Sequence, residues 1–527
     1  MYRKNEDYPL YKLPEIKNLW DMMVKKTIIM PESVAFAWFE NDRIKRITYR
    51  EFEEDVCKTV TKLHHVGIQN SNIGIMGRNS YRWLVLFMAI LYSGNTALVL
   101  DHDMDQEEFR DLIQRMDISR VFMDTGCLSK NLSELEACGA ALISYDHSCD
   151  ENESFFGLED NGKTGSDGTF SPDCIDNNTV ACIFLTSGTT GKRKGVMLTH
   201  ANIAADINGS CRLFELKGDT LAVLPFHHAF GLIVAVWMVF NYGHTVHISQ
   251  GLKRIRKELT LVKPQTMMLV PAFVESFYKM IVMSSVRNNA AGSSMDSTGR
   301  TFLGGMLEYI ICGGAPLDKQ YVQKYRSFGI EILNGYGTTE CSPVAAVNRN
   351  GYHKDGTVGI ALPDTRVTVS DDGEILIAGS HVMKGYLNDP EGTAEVLRGG
   401  WYYTGDLGFI DEDGFITLTG RKNNLVILSS GENISPEELE GKLLRIKDIE
   451  EVVVSAGERG LIAEIYTKGG CDKTSKSIKA EINALNTTLP MYKRIIDVFF
   501  REQPFRKTTS GKIIRRAYDV GKNKVNS

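Results

Sequence analysis

This 527-residue chain lacks the cysteine patterns that mark metal sites and disulfide-bonded domains. Its ten cysteines are scattered and form no Cys-x-x-Cys pair, which argues against a zinc site and favours free thiols in a reducing compartment. The first seven residues, MYRKNED, are polar and lack the apolar core of a secretion signal. We therefore expect a cytoplasmic protein.

Long apolar runs and an excess of positive charge are also missing. The longest apolar runs, residues 83–92 and 232–240, are too short to span a bilayer and predict buried helix or strand. We expect no transmembrane segment. The net charge of −6 argues against a nucleic-acid partner. It leaves phosphate ligands open, because such a site needs only backbone donors and one or two cations.

Helix and strand patterns alternate in the first part of the chain, and the length indicates at least two domains. A capping box at Thr48 and Glu51 opens a helix that runs towards residue 66. Strands are predicted at 72–76, 96–100 and 120–123, with helices at 81–92 and after Asp105. This order predicts an α/β fold with βαβ units and mixed, mostly parallel sheets.

Two domains are predicted, an N-terminal domain at 1–420 and a small α+β C-terminal domain at 421–527. Short strands broken by turns predict a β-rich subdomain at about 357–420. In the last part, Ser435 is the expected N-cap of a helix that starts with Pro436. A hairpin at 451–467 and a helix near 476–487 are also expected. Residues 149–172 and 284–301 are predicted to be exposed and irregular.

The strongest local motif is LTSGTTGKRKG at residues 185–195, directly after an apolar strand predicted at 179–185. Small hydroxyl residues and glycines let backbone N–H groups surround phosphate oxygens, and Lys192 and Lys194 add positive charge. A Walker A loop does not fit, because Gly188 and Gly191 are too close and Arg193 follows Lys192. Taken alone, the segment is also compatible with a flexible hairpin turn.

This motif resembles the phosphate loop of the adenylate-forming superfamily, which includes acyl-CoA synthetases, aryl-CoA ligases, nonribosomal adenylation domains and firefly-type luciferases. The usual loop has a proline at the position of Arg193. Similar matches follow in the family order: LPFHHAFG (224–231), CGGAPL (312–317), NGYGTTE (334–340), MKGY (383–386), TGDL (404–407), GR (420–421), SGENISPEE (430–438) and SGKIIR (510–515). The chain is most similar to bacterial long-chain fatty acid–CoA ligases.

The resemblance implies a nucleotide site built from distant parts of the chain. The residues that would contact the nucleotide are Thr186, Ser187, Gly188, Thr189, Thr190, Gly191, Lys192, Lys194, Gly314, Ala315, Asn334, Gly335, Tyr336, Gly337, Thr338, Thr339, Asp406 and Arg421.

Four side chains have specific implied roles at this site. Tyr336 would present its ring to adenine, and Glu340 would hold Mg²⁺, which prefers carboxylate and phosphate oxygens. Asp406 would bind the ribose hydroxyls, and Arg421 would place a cation near the ribose and phosphate. Taken singly, these residues would be a core tyrosine, a helix-start acid and two turn or surface charges.

The resemblance also implies catalytic residues and a hinge. Lys512 would bridge the carboxylate and the α-phosphate during adenylation, although alone it would be an exposed tail lysine. His228 would shape the carboxylate and thiol site, although a lone histidine in an apolar segment is usually structural. Gly431 would lie in a loop on the CoA side. Asn423 stands where the family commonly has Lys or Asp at the hinge of the mobile domain.

The expected function is a two-step acid–thiol ligation with ATP, Mg²⁺ and CoA. A carboxylic acid is converted to acyl-AMP with release of pyrophosphate, and CoA then takes the acyl group. Residues 226–229 hold no acid to pair an amino group, and 232–240 are apolar, so a fatty or other apolar acid fits better than an amino acid. Two alternatives stay open: loading of a phosphopantetheine carrier protein, and a nucleotide-binding pseudoenzyme or regulator.

Overall fold

The computed structural model of the chain describes most of its residues. These are 9–41, 43–128, 140–146, 155–156, 175–187, 193–288, 295–427, 433–457, 460–467, 471–507, 513 and 515. The chain forms two compact units. The first unit is Met1–Val367, Ile377–Tyr402 and Asp413–Phe415, and the second unit is Thr368–Leu376, Tyr403–Glu412 and Ile416–Ser527. The predicted boundary at residue 421 stays a prediction.

The described helices occur throughout the chain. They are α1 Leu19–Ile29, α2 Tyr49–His65, α3 Tyr81–Tyr92, α4 Gln106–Arg115, α5 His200–Leu213, α6 Val239–Tyr242, α7 Ile255–Val262, α8 Pro271–Asn288, α9 Met295–Phe302, α10 Lys319–Ser327, α11 Pro390–Val396, α12 Pro436–Leu443 and α13 Cys471–Thr487. A π-helix at Phe230–Met238 leads into α6, and short 3₁₀ turns lie at Thr339–Cys341, Lys422–Asn424 and Met491–Lys493.

The described strands also occur throughout the chain. They are β1 Val34–Glu40, β2 Arg43–Thr48, β3 Asn72–Met76, β4 Thr96–Leu100, β5 Ile118–Met123, β6 Ala141–Ser144, β7 Val180–Ser187, β8 Arg193–Thr199, β9 Thr220–Ala222, β10 Val246–Ile248, β11 Thr266–Leu269, β12 Tyr309–Cys312, β13 Glu331–Tyr336, β14 Ala346–Val347, β15 Ile360–Ala361, β16 Arg366–Val369, β17 Glu374–Ala378, β18 Gly385–Tyr386, β19 Leu397–Arg398, β20 Trp401–Ile410, β21 Ile416–Arg421, β22 Val426–Ile427, β23 Asn433–Ile434, β24 Glu451–Gly457, β25 Gly460–Tyr466 and β26 Ile495–Arg501.

Two mixed sheets organise the first unit. The nine-stranded sheet has the order β15-β14-β13-β12-β11-β9-β10-β1-β2, and its central six strands, from β13 to β1, run parallel. The seven-stranded sheet has the order β18-β8-β7-β4-β3-β5-β6, with β7, β4, β3, β5 and β6 parallel. In each sheet the antiparallel strands lie outside the parallel core.

The core of the first unit includes two apolar helical segments that the sequence predicted as buried. Ser80 caps α3 by accepting from the Trp83 backbone N–H, and every residue from Trp83 to Tyr92 is buried. The π-helix Phe230–Met238 contributes Trp237, whose ring packs edge-on against Phe36. Burial of this apolar surface is the main stabilising contribution.

The second unit contains antiparallel β20–β21 pairing and a separate three-stranded sheet. In the first of these, Asp406 lies opposite Arg421. In the other, β24 pairs antiparallel with β25, and β25 pairs parallel with β26. The buried faces of α12 and α13 contribute to the apolar cluster around this sheet. The strands β16, β17 and β20 contribute residues to both units.

The expected α/β class and mostly parallel sheets are confirmed, and the individual elements agree closely. The Thr48–Glu51 capping box opens α2. Strands β3 and β4 and helix α3 have the predicted bounds. Asp105 caps α4. No helix among the described residues is long and apolar enough to cross a membrane.

Two predicted irregular stretches are wrong or fall outside the described residues, and one predicted N-cap lacks its hydrogen bond. Within 284–301, the described residues belong to α8 and α9, because Ser285 and Thr298 are buried in helices that pack on the core. Ser435 is the N-cap residue of α12 and Pro436 its first residue, as predicted, but the Ser435 hydroxyl makes no capping hydrogen bond and donates to the Thr419 carbonyl at 2.8 Å. Most of 149–172 lies outside the described residues, and Phe155 within it is buried, not exposed.

A buried histidine predicts how stability depends on pH. Burial lowers the pKa of His200, at the start of α5, to about 4, and Asp176 only partly opposes this effect. Between pH 6.5 and 4 the unfolded chain binds a proton at this residue that the folded chain does not bind. Stability is therefore lost as the pH falls, by about 1.4 kcal/mol per unit for each such histidine.

The His200→Gln variant should show a shallower loss of stability in this window, by about one proton. The exposed His65→Gln variant on α2 is the matched control and should keep the wild-type slope. The measurement is urea unfolding at several pH values, followed by tryptophan fluorescence. All five tryptophans lie in the first unit. An unchanged slope for His200→Gln would contradict the prediction.

Candidate active site

The family motifs of the first unit follow strands of the parallel sheets. Residues 224–231 come after β9, residues 313–315 after β12 and residues 337–340 after β13. Because parallel strands end at the same edge of a sheet, these segments lie along one edge, the usual place for ligands in α/β proteins.

Close packing confirms that three of these segments meet. A methyl group added at Gly313 would lie 3.6 Å from both the Phe230 Cζ atom and the Gly335 carbonyl oxygen. A methyl group added at Gly314 would lie 3.4 Å from Val270 Cγ1, just after β11. The segment 224–231 (the histidine motif) therefore lies next to the segments 312–317 and 334–340 (the glycine motifs).

The edge of the seven-stranded sheet contacts the same region. Asn79, three residues after β3, donates from Nδ2 to the Leu224 carbonyl at 2.7 Å and accepts from the Phe226 N–H at 2.9 Å. Asp101, directly after β4, has its Oδ1 atom 3.5 Å from Nε2 of His227. These contacts hold the start of the histidine motif against both sheets.

The structure gives a protonation state for His227 but not a role for the adjacent His228. Their ring centroids are 4.4 Å apart. Burial lowers the pKa of His227, and the neighbouring His228 adds to this effect. His227 is therefore neutral near pH 7, which suits positioning better than proton transfer. The catalytic role of His228 stays a prediction.

The segments predicted to bind the base combine an exposed turn with a tightly packed strand end. Gly314 and Ala315 are exposed, and Gly314 has a φ of 84°, which favours glycine. A methyl group at Gly337 would lie 1.8 Å from the Pro343 carbonyl oxygen, so only glycine fits there. Tyr336 is buried at the end of β13.

One polar atom in this region is suited to a ligand. The side-chain carbonyl oxygen of Asn334 is buried and has no hydrogen-bond partner among the described residues. An unsatisfied buried acceptor costs free energy, so a partner from a ligand would be stabilising. A nucleobase amino group or an ordered water satisfies this requirement, which fits the predicted role of this residue.

Glu340 lies in a connected set of charged and polar side chains. The Tyr386 hydroxyl donates to Glu340 Oε1 at 2.9 Å, and Lys194 Nζ lies 4.5 Å from the Tyr386 ring centroid. Lys194 also pairs with Asp389 at 3.2 Å. Burial raises the pKa of Tyr386, and the Glu340 charge adds to this effect, so the hydroxyl keeps its proton and donates.

The donor set around Glu340 fits a magnesium ion. The carboxylate is mostly buried, and the hydroxyls of Thr338 and Thr339 immediately precede it in sequence. Such hard oxygen atoms, together with phosphate oxygens, are the ligands that Mg²⁺ prefers. The residues present therefore fit the metal that the resemblance implies.

The second unit brings together its own pair of predicted nucleotide residues. Asp406 is buried, and its Oδ1 atom accepts from Arg421 Nε at 2.8 Å across the β20–β21 pair. The adjacent Gly405 N–H donates to Glu374 Oε1 at 2.8 Å, and Lys422 Nζ lies 2.9 Å from Glu374 Oε2. Neighbouring carboxylates in this unit are thus balanced by cations.

Other predicted residues fall in different settings. Thr186 and Ser187 end strand β7, and Lys194 lies in β8, so the strands extend further into the motif than the sequence indicated. Asn423 is exposed within the 3₁₀ turn Lys422–Asn424. The predicted site residues outside the described part of the chain are Gly188, Thr189, Thr190, Gly191, Lys192, Gly431 and Lys512.

Sequence reasoning assigned no role to several residues that the structure places in the site. Tyr386 stood in a recognised motif, but its contact with Glu340 spans 46 positions in sequence. For Asn79 and Asp101, the available sequence indication was that each residue follows a predicted parallel strand.

A family model described as AMP-binding enzyme matches residues 29–387 of this chain, which is more than half of it. The chain therefore belongs to the AMP-binding enzyme family. This confirms the family and enzyme class expected from the sequence, an AMP-binding acyl-CoA ligase family.

Curated relatives are CoA ligases with different acids in their names. The long-chain-fatty-acid–CoA ligase FadD15 of Mycobacterium bovis is 27% identical over 84% of this chain and 81% of its own length. The 2-succinylbenzoate–CoA ligase of Geobacillus is also 27% identical, over 85% of each chain.

Solved structures share the fold. The o-succinylbenzoate CoA synthetase of Bacillus subtilis, in complex with its acyl-adenylate, matches with a TM-score of 0.77 and 21% identity over 96% of this chain and 99% of that chain. The Mycobacterium tuberculosis fatty acyl CoA synthetase matches with a TM-score of 0.68 and 20% identity, over 95% and 97%.

Substitutions at Glu340 should change the requirement for magnesium. Glu340→Gln keeps the shape but removes the charge, so the Mg²⁺ concentration for half-maximal pyrophosphate release should rise about tenfold or more. Tyr386→Phe should act in the same direction by a smaller factor, because it removes one hydrogen bond to the carboxylate.

A magnesium titration at fixed ATP measures this effect. The exposed Glu395→Gln variant on α11 is the matched control and should titrate like the wild type. The predicted metal site is wrong if Glu340→Gln and the control have the same magnesium requirement.

Proposed function

We propose that this protein activates a carboxylic acid, most suitably a fatty acid, with ATP and transfers the acyl group to CoA. The acid carboxylate attacks the α-phosphorus of ATP, the bond to the β-phosphate oxygen breaks, and acyl-AMP and pyrophosphate form. The CoA sulfur then attacks the acyl carbon, the bond to AMP breaks, and the thiol proton is lost to solvent or a base.

One observation carries this proposal. Segments around Phe230, Gly313 and Gly335 pack together at the carboxyl edge of the parallel sheet, and the buried Glu340 lies a few residues beyond. The same region thus combines an exposed turn for a base, an unsatisfied acceptor on Asn334 and a carboxylate suited to Mg²⁺.

The residues of the chain would act mainly through position and charge. Lys194 would add positive charge beside the phosphates, and Glu340 would hold the magnesium ion that neutralises phosphate charge. Asp406 would orient the ribose, with Arg421 holding its carboxylate. Such fixed charges act without the reorganisation that water would need.

Both flanks of Lys512 are held within the second unit. Ile513 pairs with Lys507 in an antiparallel bridge, and Lys507 forms an ion pair with Glu451 at 2.6 Å. Arg515 donates to both carboxylate oxygens of Glu440, one of them at 2.8 Å. These contacts concern the described neighbours of Lys512, and the role of Lys512 in adenylation stays a proposal.

Several predicted features remain proposals. The C-terminal domain would rotate at Asn423 between the two steps, and Gly431 would face the CoA side. The cytoplasmic location and the domain limits also stay predictions. A carrier protein in place of CoA is an outcome that the assay below distinguishes.

Charge around the site favours an apolar acid. Asp206 is a buried acid of the first unit, but burial raises its pKa, and it accepts from the Val344 N–H at 2.8 Å. A raised pKa makes this carboxyl a weaker counter-charge for an ammonium group. Asp101 lies beside the Arg193 guanidinium, so its charge is already balanced. An amino acid substrate would therefore lack a counter-charge at these positions.

The apolar wall near the histidine motif is consistent with the same substrate. The segment from Gly231 to Met238 is entirely buried and made of small and apolar residues. This segment offers no charged side chain, whereas a dicarboxylate such as 2-succinylbenzoate needs a second polar contact. The relatives with both kinds of acid make this the point that experiment must decide.

A pyrophosphate-release screen tests the substrate. Medium and long unbranched acids should exceed amino acids and 2-succinylbenzoate by more than about tenfold, the effect of one uncompensated buried charge. Parallel reactions with CoA and with a phosphopantetheine carrier protein identify the acceptor. A strong preference for an amino acid would refute the proposed substrate class, and release with no acid at all would refute the activity.

Lys512→Ala should separate the two half-reactions. Acyl-AMP formation should fall about 10²–10³-fold, as expected for loss of one preorganised charge between two anions. Thioester formation from supplied acyl-adenylate and CoA should stay nearly unchanged, because it uses a different arrangement of the mobile domain. The exposed Lys476→Ala variant on α13 is the control. Equal losses in both assays would refute an adenylation-specific role for Lys512.

A further inference from the structure

Arg193 is the first described residue after the predicted phosphate loop and opens strand β8. Its Nε atom lies 2.6 Å from Glu108 Oε1 on α4, and its Nη1 atom lies 3.7 Å from Asp101 Oδ2 after β4. Its backbone carbonyl accepts from Arg115 Nη2 at 3.2 Å. Arg193 thus contacts three residues that are distant from it in sequence: Asp101, Glu108 and Arg115.

The next residue has a different set of partners. Lys194 pairs with Asp389 and lies over the Tyr386 ring. Successive side chains of a strand point to opposite faces, so these two cations leave β8 on opposite sides. The start of β8, directly after the predicted loop, is therefore held on one face through Arg193 and on the other through Lys194.

We propose that Arg193 is a positioning residue that fixes the downstream end of the phosphate loop by its ion pairs with Glu108 and Asp101. This inference rests on the proposed function. It adds a residue whose side chain contacts other protein groups and acts on ATP through the loop. The partner Asp101 extends the same connection to His227, at the start of the acid site.

The burial of these groups explains why the contact matters. The Asp101 side chain is only 1% exposed, and those of Arg193 and Glu108 are 24% and 30% exposed. Removing one member of a buried charge pair leaves the other uncompensated, which is more costly than losing a surface ion pair. The start of β8 would shift to relieve this cost, and small displacements of binding groups weaken catalysis strongly.

The first arm of the test uses enzyme kinetics. Arg193→Met should raise the KM for ATP about tenfold while changing the KM for the acid less than about twofold. Arg193→Lys keeps the charge and should recover part of the loss. Arg326→Met is the matched control, because Arg326 on α10 also pairs with two carboxylates, Glu331 at 2.7 Å and Asp355 at 2.9 Å.

The second arm does not depend on activity. Hydrogen–deuterium exchange of the peptide covering residues 185–199 should be faster in Arg193→Met than in the wild type or Arg326→Met. Glu108→Gln should give a smaller increase in the same peptide, because Asp101 still faces Arg193. Circular dichroism and thermal unfolding check that the variants are folded.

The two arms separate the inference from the proposed function. Unchanged exchange in Arg193→Met overturns the positioning role, and so do equal changes in both KM values. If the wild type neither binds ATP nor releases pyrophosphate, the proposed function fails, while the exchange result still decides whether Arg193 fixes the loop.

Discussion

The parallel strands of two sheets end against one stretch of chain, residues 224–231, and the rest of the candidate site depends on this constraint. At the edge of one sheet, the Asn79 side chain makes two hydrogen bonds to the backbone of this stretch. Phe230 packs it against the glycine motifs at the edge of the other. These contacts place the segments that would bind base, metal and acid next to one another.

Charge in this region is balanced locally rather than by solvent. Strand β8 places one cation on each face, and each meets a buried or half-buried acid of a different segment. Among the described residues, the Glu340 carboxylate accepts from the Tyr386 hydroxyl and pairs with no cation. A carboxylate with only one neutral donor keeps its affinity for a metal ion, whereas a full ion pair would compete with the metal.

Much of the fold and the motif content could be predicted from the sequence because both depend on local patterns. The α2 capping box, strands β3 and β4 and helix α3 follow from neighbouring residues. The contacts between motifs could not, since Tyr386 and Glu340 are 46 positions apart and Asn79 and Phe226 are 147 apart. The polar stretch 284–301 was predicted to be irregular. Its described residues instead belong to α8 and α9, where Ser285 and Thr298 are buried by tertiary packing.

In the proposed mechanism, different residues determine the reaction and the choice of acid. The sequence therefore indicates the reaction more clearly than the acid substrate. The motifs that hold Glu340, Asp406 and Lys512 are proposed to serve ATP, and in that role they would serve any acid. Relatives named for a fatty acid and for 2-succinylbenzoate are both 27% identical to this chain, so overall similarity does not choose between them. The choice rests on side-chain chemistry. Burial raises the pKa of Asp206, Asp101 lies beside Arg193, and the segment from Gly231 to Met238 is apolar. These properties disfavour a charged acyl group because none of them compensates the charge on removal from water.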